Sequence, residues 1–282
     1  MEDKTSLILK QHGFELKKSM GQNFLFDNKI LNKITDDAEL SPADTVLEIG
    51  PGAGTLTRVL ADRAKKVVAV EIDKQLIPVL NQTLAGKENI RIINADFLAL
   101  NLQKLYETEL CEPFAVVANL PYNAATQIIM RLLESPLPVQ KITVLVQREV
   151  AKRMSARPGT PEYGALTCAV EYRAQVRMKT LIPPGAFFPR PKVISQVVTL
   201  LPRKRPAVEV SDEQLFFRVI SAAFAMRRKT FVNNLIKSFS MDRLDAESVL
   251  DEAGLARDIR GERLSLAELA RLTEVIKRKT NH

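Results

Sequence analysis

The stretch Val46-Leu47-Glu48-Ile49-Gly50-Pro51-Gly52-Ala53-Gly54-Thr55-Leu56-Thr57 constrains this chain more than any other part of it. Apolar and β-branched residues from Thr45 to Ile49 predict a short buried strand, glycines alternate at 50, 52 and 54, and helical spacing resumes from Leu56 to Arg63. Strand, tight turn and helix without a break make the first βα corner of a nucleotide-binding sheet. Glycine at these positions lets the backbone take positive φ and leaves no Cβ between the main chain and a ligand lying across the strand end. Gly-rich turns also serve hairpins and helix C-caps, so the segments on either side decide.

They alternate as such a sheet requires. Residues 67–73 form a β-branched run ending in acids, with Glu71 lying 21 positions beyond Gly50. An acid about 20 residues past the glycine turn is where a ribose diol is hydrogen-bonded in dinucleotide-type folds. Glu71 is therefore the ribose candidate, with Ile72 beside it. Residues 90–97 predict a third strand ending in Asp96 and Phe97. Asp96 either accepts from an adenine amino group beside an apolar Phe97 wall or caps the next helix, and both readings stand. A fourth strand at 114–118 leads into Asn119-Leu120-Pro121-Tyr122, and a fifth at 142–147 follows an amphipathic segment at 125–134. The alternation from 45 to 147 predicts an α/β, doubly wound parallel sheet. Late strands at 176–182 and 193–201 are expected to close its edge as an antiparallel pair, with Phe187 and Phe188 in the proline-rich loop between them. Ahead of the sheet, a short helix at 3–12, a basic segment from Leu16 to Leu25 and an Asp27-capped helix at 28–38 are expected. After the basic, proline-bounded linker 202–206, strand signals vanish. Helical spacing returns near 211–224, 228–239, 243–253 and 265–278, a small all-α domain.

Composition narrows the chemistry. Lys and Arg outnumber Asp and Glu by 41 to 33, a formal +8 that favours a polyanionic partner. Candidate contacts to it are Lys17, Lys18, Arg148, Lys152, Arg153 and Arg227 to Lys229. Cys111 and Cys168 lie far apart with no Cys/His spacing around them, which supports neither a disulfide framework nor a metal site. The two histidines, His12 and His282, stand near the termini, so a histidine base or triad is not expected. The chain starts without a basic leader, and no 18-residue apolar run occurs, which points to the cytoplasm and away from a membrane.

A glycine turn followed by a strand-end acid suits either a nicotinamide cofactor or S-adenosylmethionine. Gly-x-Gly-x-Gly preceded by Glu48, without a further glycine to bring a helix end against a pyrophosphate, leans toward S-adenosylmethionine. Asn119-Leu120-Pro121-Tyr122 discriminates further. The exocyclic amine of adenine is a poor nucleophile because its lone pair is delocalised into the ring. The Asn119 side-chain oxygen and a main-chain carbonyl at the Leu120–Pro121 turn can each accept one of its hydrogens, Pro121 fixes the turn, and Tyr122 offers a stacking face.

Lys18-Ser19-Met20-Gly21-Gln22-Asn23-Phe24-Leu25, the 48–57 turn, Asn119 to Tyr122 and Phe187-Phe188-Pro189-Arg190-Pro191-Lys192-Val193-Ile194-Ser195 together resemble the successive motifs of the ribosomal-RNA adenine dimethyltransferases. Ala222 to Thr230 and Gly261-Glu262-Arg263-Leu264-Ser265 are similar to the helical domain of the small-subunit branch, so the resemblance spans nearly the whole chain. It implies a Rossmann-like S-adenosylmethionine methyltransferase domain at 1–205 and a helical domain at 206–282. It implies a cytoplasmic, monomeric enzyme without metal that places two methyl groups on each of two adjacent adenosines near the 3′ end of 16S rRNA, within an immature small subunit. Cofactor contacts carried over fall on Asn23, Leu25, Gly50, Gly52, Glu71, Ile72, Asp96, Phe97 and Asn119. The catalytic set is Asn119, Leu120, Pro121, Tyr122 and Phe187, with the target base between Tyr122 and Phe187. Met20 replaces a usual leucine, and Ala124-Ala125 replace a branched residue and serine, which questions the helix cap there. Two competitors are a large-subunit adenine methyltransferase of the macrolide-resistance type and a non-catalytic RNA-binding assembly factor. The Arg227-Arg228-Lys229-Thr230 stretch argues against the first, and intact Asn119 and Tyr122 against the second.

Overall fold

A computed structural model describes residues 4–13 and 22–280. Lys17 and Lys18, and the motif residues up to Gly21, lie outside the described residues. Contacts divide the chain into two compact units, one running to Ala151 and resuming over Val176–Pro202, the other made of Lys152–Gln175 and the chain from Arg203 onward. Residues 152–175, which the sequence reading assigned to the larger domain, therefore pack with the helical segment.

The first unit is built on strands β1 (Phe24–Leu25), β2 (Thr45–Ile49), β3 (Lys66–Glu71), β4 (Ile90–Asn94), β5 (Phe114–Asn119), β6 (Val139–Gln147), β7 (Ala174–Ile182), β8 (Phe187–Phe188) and β9 (Ser195–Pro202). Seven of them form one sheet in the order β4-β3-β2-β5-β6-β9-β7. The five from β4 to β6 run parallel, and β9 joins β6 antiparallel, leaving β7 outermost. The two late strands lie side by side at this edge, as expected, and it is β9, the later of them in sequence, that docks on β6.

Val67 to Val70 and Phe114 to Ala118 are almost wholly buried. That is why they read as continuous apolar runs and not as alternating patterns, since helices cover both faces of a parallel sheet. The helix Asn28–Asp37, with Asp27 accepting from Lys29 N at 2.8 Å as its cap, sends Leu31 and Ile34 into one apolar cluster with Leu56 and Leu60 of the helix Thr55–Ala61. Strand order reverses at β2, whose neighbours are β3 on one side and β5 on the other. A crevice opens at the carboxyl ends of strands where the order reverses, which positions the site.

β4 ends at Asn94, short of the expected 97, because the Asn94 side chain donates to the Glu71 carbonyl at 2.7 Å and Asp96 starts a turn. The helix Leu102–Leu105 and the wide turn Tyr106–Leu110 were not anticipated, pieces too short to show a period. Neither was the ribbon that pairs β1 with β8.

In the second unit the helices Ala165–Arg173, Glu213–Ala225, Phe231–Phe239, Arg243–Glu252 and Leu266–Thr280 surround Tyr163, Phe216, Phe231 and Leu269. Tyr163 is fully buried; its hydroxyl donates to the Leu264 carbonyl at 2.7 Å and accepts from the Cys168 thiol at 3.2 Å.

Candidate active site

Two cavities, of about 90 and 270 Å³, lie at the carboxyl ends of the central strands and share Gly50, Ile72 and Pro121 as a common wall. The glycine turn forms their floor. Gly50 and Gly52 have φ of 70° and 58°, a region where side chains are strained. At Gly52 a Cβ would also stand 3.0 Å from the Phe24 ring. Only glycine lets the arm residue Phe24 close over this turn while the backbone stays accessible.

All nine expected cofactor residues line these cavities. Asn23, Leu25, Gly50, Gly52, Glu71, Ile72 and Asn119 face the first, and Asp96 and Phe97 face the second. Leu120 and Pro121 join the first wall. Tyr122 and Phe187 line neither.

Glu71, at the end of β3, is 3 % exposed, and each of its oxygens already accepts one main-chain N–H: Oε2 from Gly52 at 3.0 Å and Oε1 from Asp73 at 2.8 Å. A carboxylate has about four acceptor sites, so one lone pair on each oxygen remains for a diol. Burial, with the nearby Asp73 carboxylate, pushes its pKa above the usual carboxylate value, while the main-chain N–H groups of Asp73, Gly52 and Ile72 pull it back.

Asn119, at the end of β5, donates its side-chain amide to the Asn23 carbonyl at 2.9 Å. That acceptor fixes which end of the amide is nitrogen and leaves Oδ1 as an acceptor. The Leu25 carbonyl takes the Thr55 hydroxyl at 2.8 Å, tying the arm to the helix that follows the glycine turn. Asp96 uses Oδ1 to accept from Leu98 N at 2.8 Å within a turn; the next helix begins only at Leu102 with Asn101 as its cap, so Asp96 is not the helix cap that one reading expected. Phe97 is buried and Ile72 is 53 % exposed, two apolar walls of the second cavity.

The Tyr122 and Ser195 hydroxyls share a hydrogen bond at 2.6 Å, joining the turn after β5 to the start of β9. Burial raises the Tyr122 phenol, keeping it neutral. Phe187 is 5 % exposed and packs into the cluster of Leu25, Leu31, Ile182 and Val197. Ala124 stands at the N-terminus of the helix Ala125–Glu134 without a side-chain cap, as its sequence departure implied.

One lining residue received no role in the sequence reading. Glu48 is 1 % exposed in the middle of β2, its Oε2 has no hydrogen-bond partner among the described residues, and burial, against the opposing pull of the Thr57 hydroxyl, pushes its pKa up to about 8. The signal was legible as a lone acid in an otherwise apolar strand. Among the described residues no cluster of three or more His, Cys, Asp or Glu could hold a metal.

A doubly wound sheet with its crevice at the switch point places the chain in the class of Rossmann-like methyltransferases. The model of the family described as "Ribosomal RNA adenine dimethylase" matches residues 13–276, and the chain belongs to that family. Similar relatives are the proteins named ribosomal RNA small subunit methyltransferase A from Bacillus cytotoxicus and Shouchella clausii. The first is 46 % identical over 97 % of this chain and 96 % of that one, the second 48 % identical over 97 % and 94 %. Among solved structures, the 23S rRNA methyltransferase ErmE superposes with TM-score 0.69 at 31 % identity, covering 90 % of this chain and all of that one. A Plasmodium falciparum dimethyladenosine transferase shares the fold, with TM-score 0.76 at 23 % identity over 91 % of this chain and 98 % of that one.

Proposed function

We propose that this enzyme dimethylates the exocyclic amines of two adjacent adenosines near the 3′ end of 16S rRNA, acting as a cytoplasmic monomer on an immature small subunit. The names of its relatives over nearly their full length support the subunit assignment. In this reading the methyl-transfer machinery falls within residues 1–205, and residues 206–282, packed with 152–175, form a helical domain that helps hold rRNA. Among the described residues no helix is long and apolar enough to cross a membrane.

The residues present fit S-adenosylmethionine: Glu71 keeps two lone pairs for a ribose diol, Ile72 and Phe97 flank an adenine, Asp96 accepts from its amino group, and Glu48 Oε2 is an unpartnered acceptor in the wall. When bound, the cofactor supplies an electrophilic methyl group on a sulfonium. The chain's own part is positioning. Transfer needs the adenine nitrogen within about 3 to 3.5 Å of the methyl carbon and aligned with the breaking bond. Asn119 Oδ1 accepts one amine hydrogen and the Leu120 carbonyl the other; the Pro121 carbonyl already binds Ala124 N at 3.0 Å. These contacts strengthen as positive charge builds on nitrogen, so they lower the barrier more than the ground state. Tyr122 and Phe187 stack on the base once it has left its helix.

The observation that carries the reading is the Asn119 amide, pinned by Asn23 with its oxygen left on the cavity wall. The test is transfer of labelled methyl groups to small subunits lacking the modification, followed by mapping of the modified positions. Dimethylation of adjacent adenosines in 16S rRNA supports the assignment. Modification confined to 23S rRNA would transfer it to the large-subunit type that the ErmE likeness represents, and no transfer would leave an assembly factor.

A further inference from the structure

Phe188 has no place in the reading above, yet it is 61 % exposed, whereas its neighbour Phe187 is 5 % exposed. In the β1–β8 ribbon Phe188 stands opposite Phe24, and Phe187 opposite Leu25. Residues directly opposite each other in an antiparallel pair project from the same face. Leu25 and Phe187 project into the apolar cluster beneath the ribbon, so Phe24 and Phe188 share the other face. Phe24 covers Gly52 and lines the first cavity; Phe188 stands beside it with its ring in solvent.

The residue before Phe24 is Asn23, whose carbonyl holds the Asn119 amide. Along the backbone, Phe188 is one strand spacing and one residue step, about 4.8 and about 3.4 Å, from Asn23, the residue that pins the Asn119 amide. The chain that follows exposes Arg190, Lys192, Val193 and Ile194. Neither cation has an ion-pair partner among the described residues. An exposed aromatic next to two unpaired cations suits a nucleic-acid strand: a ring offers any base a stacking face, and the cations suit phosphates.

We propose that Phe188 stacks on the nucleobase flanking the adenosine that occupies the site, with Arg190 and Lys192 on the adjoining phosphates; the assignment rests on the reading of this chain as an rRNA adenine methyltransferase. Extruding one adenosine of an adjacent pair leaves its neighbour with an uncovered face. Phe188 covers that face and holds the strand in register while the extruded base reacts.

The test is single-turnover methyl transfer at saturating S-adenosylmethionine to small subunits lacking the modification, with subunit concentration varied, for wild type, Phe188→Ala, Phe188→Leu and Phe188→Trp. The half-saturating subunit concentration should rise roughly five- to a hundredfold in Phe188→Ala, with the limiting rate within a few fold and cofactor affinity unchanged. Phe188→Trp should restore wild-type saturation and Phe188→Leu should not, because stacking needs a π-face and a merely apolar contact does not. An alanine variant that saturates like wild type, or a leucine variant that rescues as well as tryptophan, overturns the assignment. Absence of transfer by the wild type is a different failure, refuting the underlying function and this assignment with it.

Discussion

Replacing Glu71 with alanine probes the ribose contact and the glycine turn at once. The carboxylate stands between Gly52 N and Asp73 N and keeps one lone pair on each oxygen for the diol. A hydrogen bond to a charged acceptor is worth about 1.5 to 3 kcal/mol, so loss of the diol contact should weaken cofactor binding roughly ten- to a hundredfold. A second hydroxyl contact does not double this, since ionising a buried Glu71 already costs free energy, as its raised pKa records. The same carboxylate orders the turn, so Glu71→Ala should also lower the melting temperature, and Glu71→Gln should not behave as an isostere. An amide NH₂ facing either main-chain N–H replaces attraction by repulsion. Titration calorimetry with S-adenosylmethionine and with a 2′-deoxyribose analogue separates the two effects. Wild type should lose affinity for the analogue, and Glu71→Ala should hardly distinguish the two ligands. Because binding favours the ionised carboxylate, wild-type affinity should fall as pH drops through the raised pKa, and the variant should lack that fall. An unchanged dissociation constant in a folded Glu71→Ala protein would remove Glu71 from the site.

Asn119→Ala should reduce single-turnover methylation at saturating cofactor and RNA by about 10²- to 10³-fold while RNA affinity stays within a few fold; a near wild-type rate refutes the positioning role. Affinity for the rRNA substrate should fall steeply with salt, and each cation removed among Arg148, Lys152, Arg153, Arg228 and Lys229 should flatten the log-log slope by about 0.9 or somewhat less; an unchanged slope after several charge reversals would relocate the interface. Glu48 has a folded pKa raised from 4.5 to about 8, so its neutral form is the one compatible with burial. The stability it confers is fully present below pH 4.5 and lost as pH rises through about 8, with a slope of at most about 1.4 kcal/mol per pH unit. Glu48→Gln should flatten the pH profile of denaturant unfolding over that window, and an identical profile would show that Glu48 is solvated in the folded chain.

How much of this was legible depends on length scale. The 45–49, 66–71 and 114–119 strands announced themselves because both faces are buried, and the spacing from Gly50 to Glu71 is the geometry of one βα crossover. The cavity lining followed from the same topology, since a doubly wound sheet brings its strand ends together wherever they fall in sequence. The β1–β8 ribbon did not follow: two residues per strand carry no period, and its partners are separated by most of the sheet. For that reason Phe187 and Phe188 read alike in the sequence, although the ribbon's register buries one and exposes the other. Residues 152–175 were misplaced for a related reason, because a segment leaving and re-entering one unit looks continuous in the chain.

The motifs that tie this chain to its family divide by whether their polar groups are already used. Gly261 is a packing residue: a Cβ there would lie 1.8 Å from the Ala223 carbonyl oxygen, so two elements touch backbone to backbone. Leu264 offers its carbonyl to Tyr163, and Ser265 forms a capping box with Glu268, whose Oε2 accepts from Ser265 N at 2.8 Å. Arg227 donates Nη2 to the Pro161 carbonyl at 2.8 Å, whereas Arg228 and Lys229 are exposed without an ion pair among the described residues. Gly261, Leu264, Ser265 and Arg227 thus meet their partners inside the fold and serve its architecture. Glu71, Asn119 and Glu48 differ: all three line the cavity, Glu71 and Asn119 using only part of their hydrogen-bonding capacity within the fold and Glu48 leaving Oε2 without a partner among the described residues. A missing partner does not by itself mark a site, since Asn234 Oδ1 and Glu262 Oε2 are also buried without a hydrogen-bond partner among the described residues; what sets Glu48 apart is that it lines the cavity. Use of a partner inside the fold separates Arg227, a brace whose loss should show in stability, from Arg228 and Lys229, whose loss should show in the salt dependence of RNA binding.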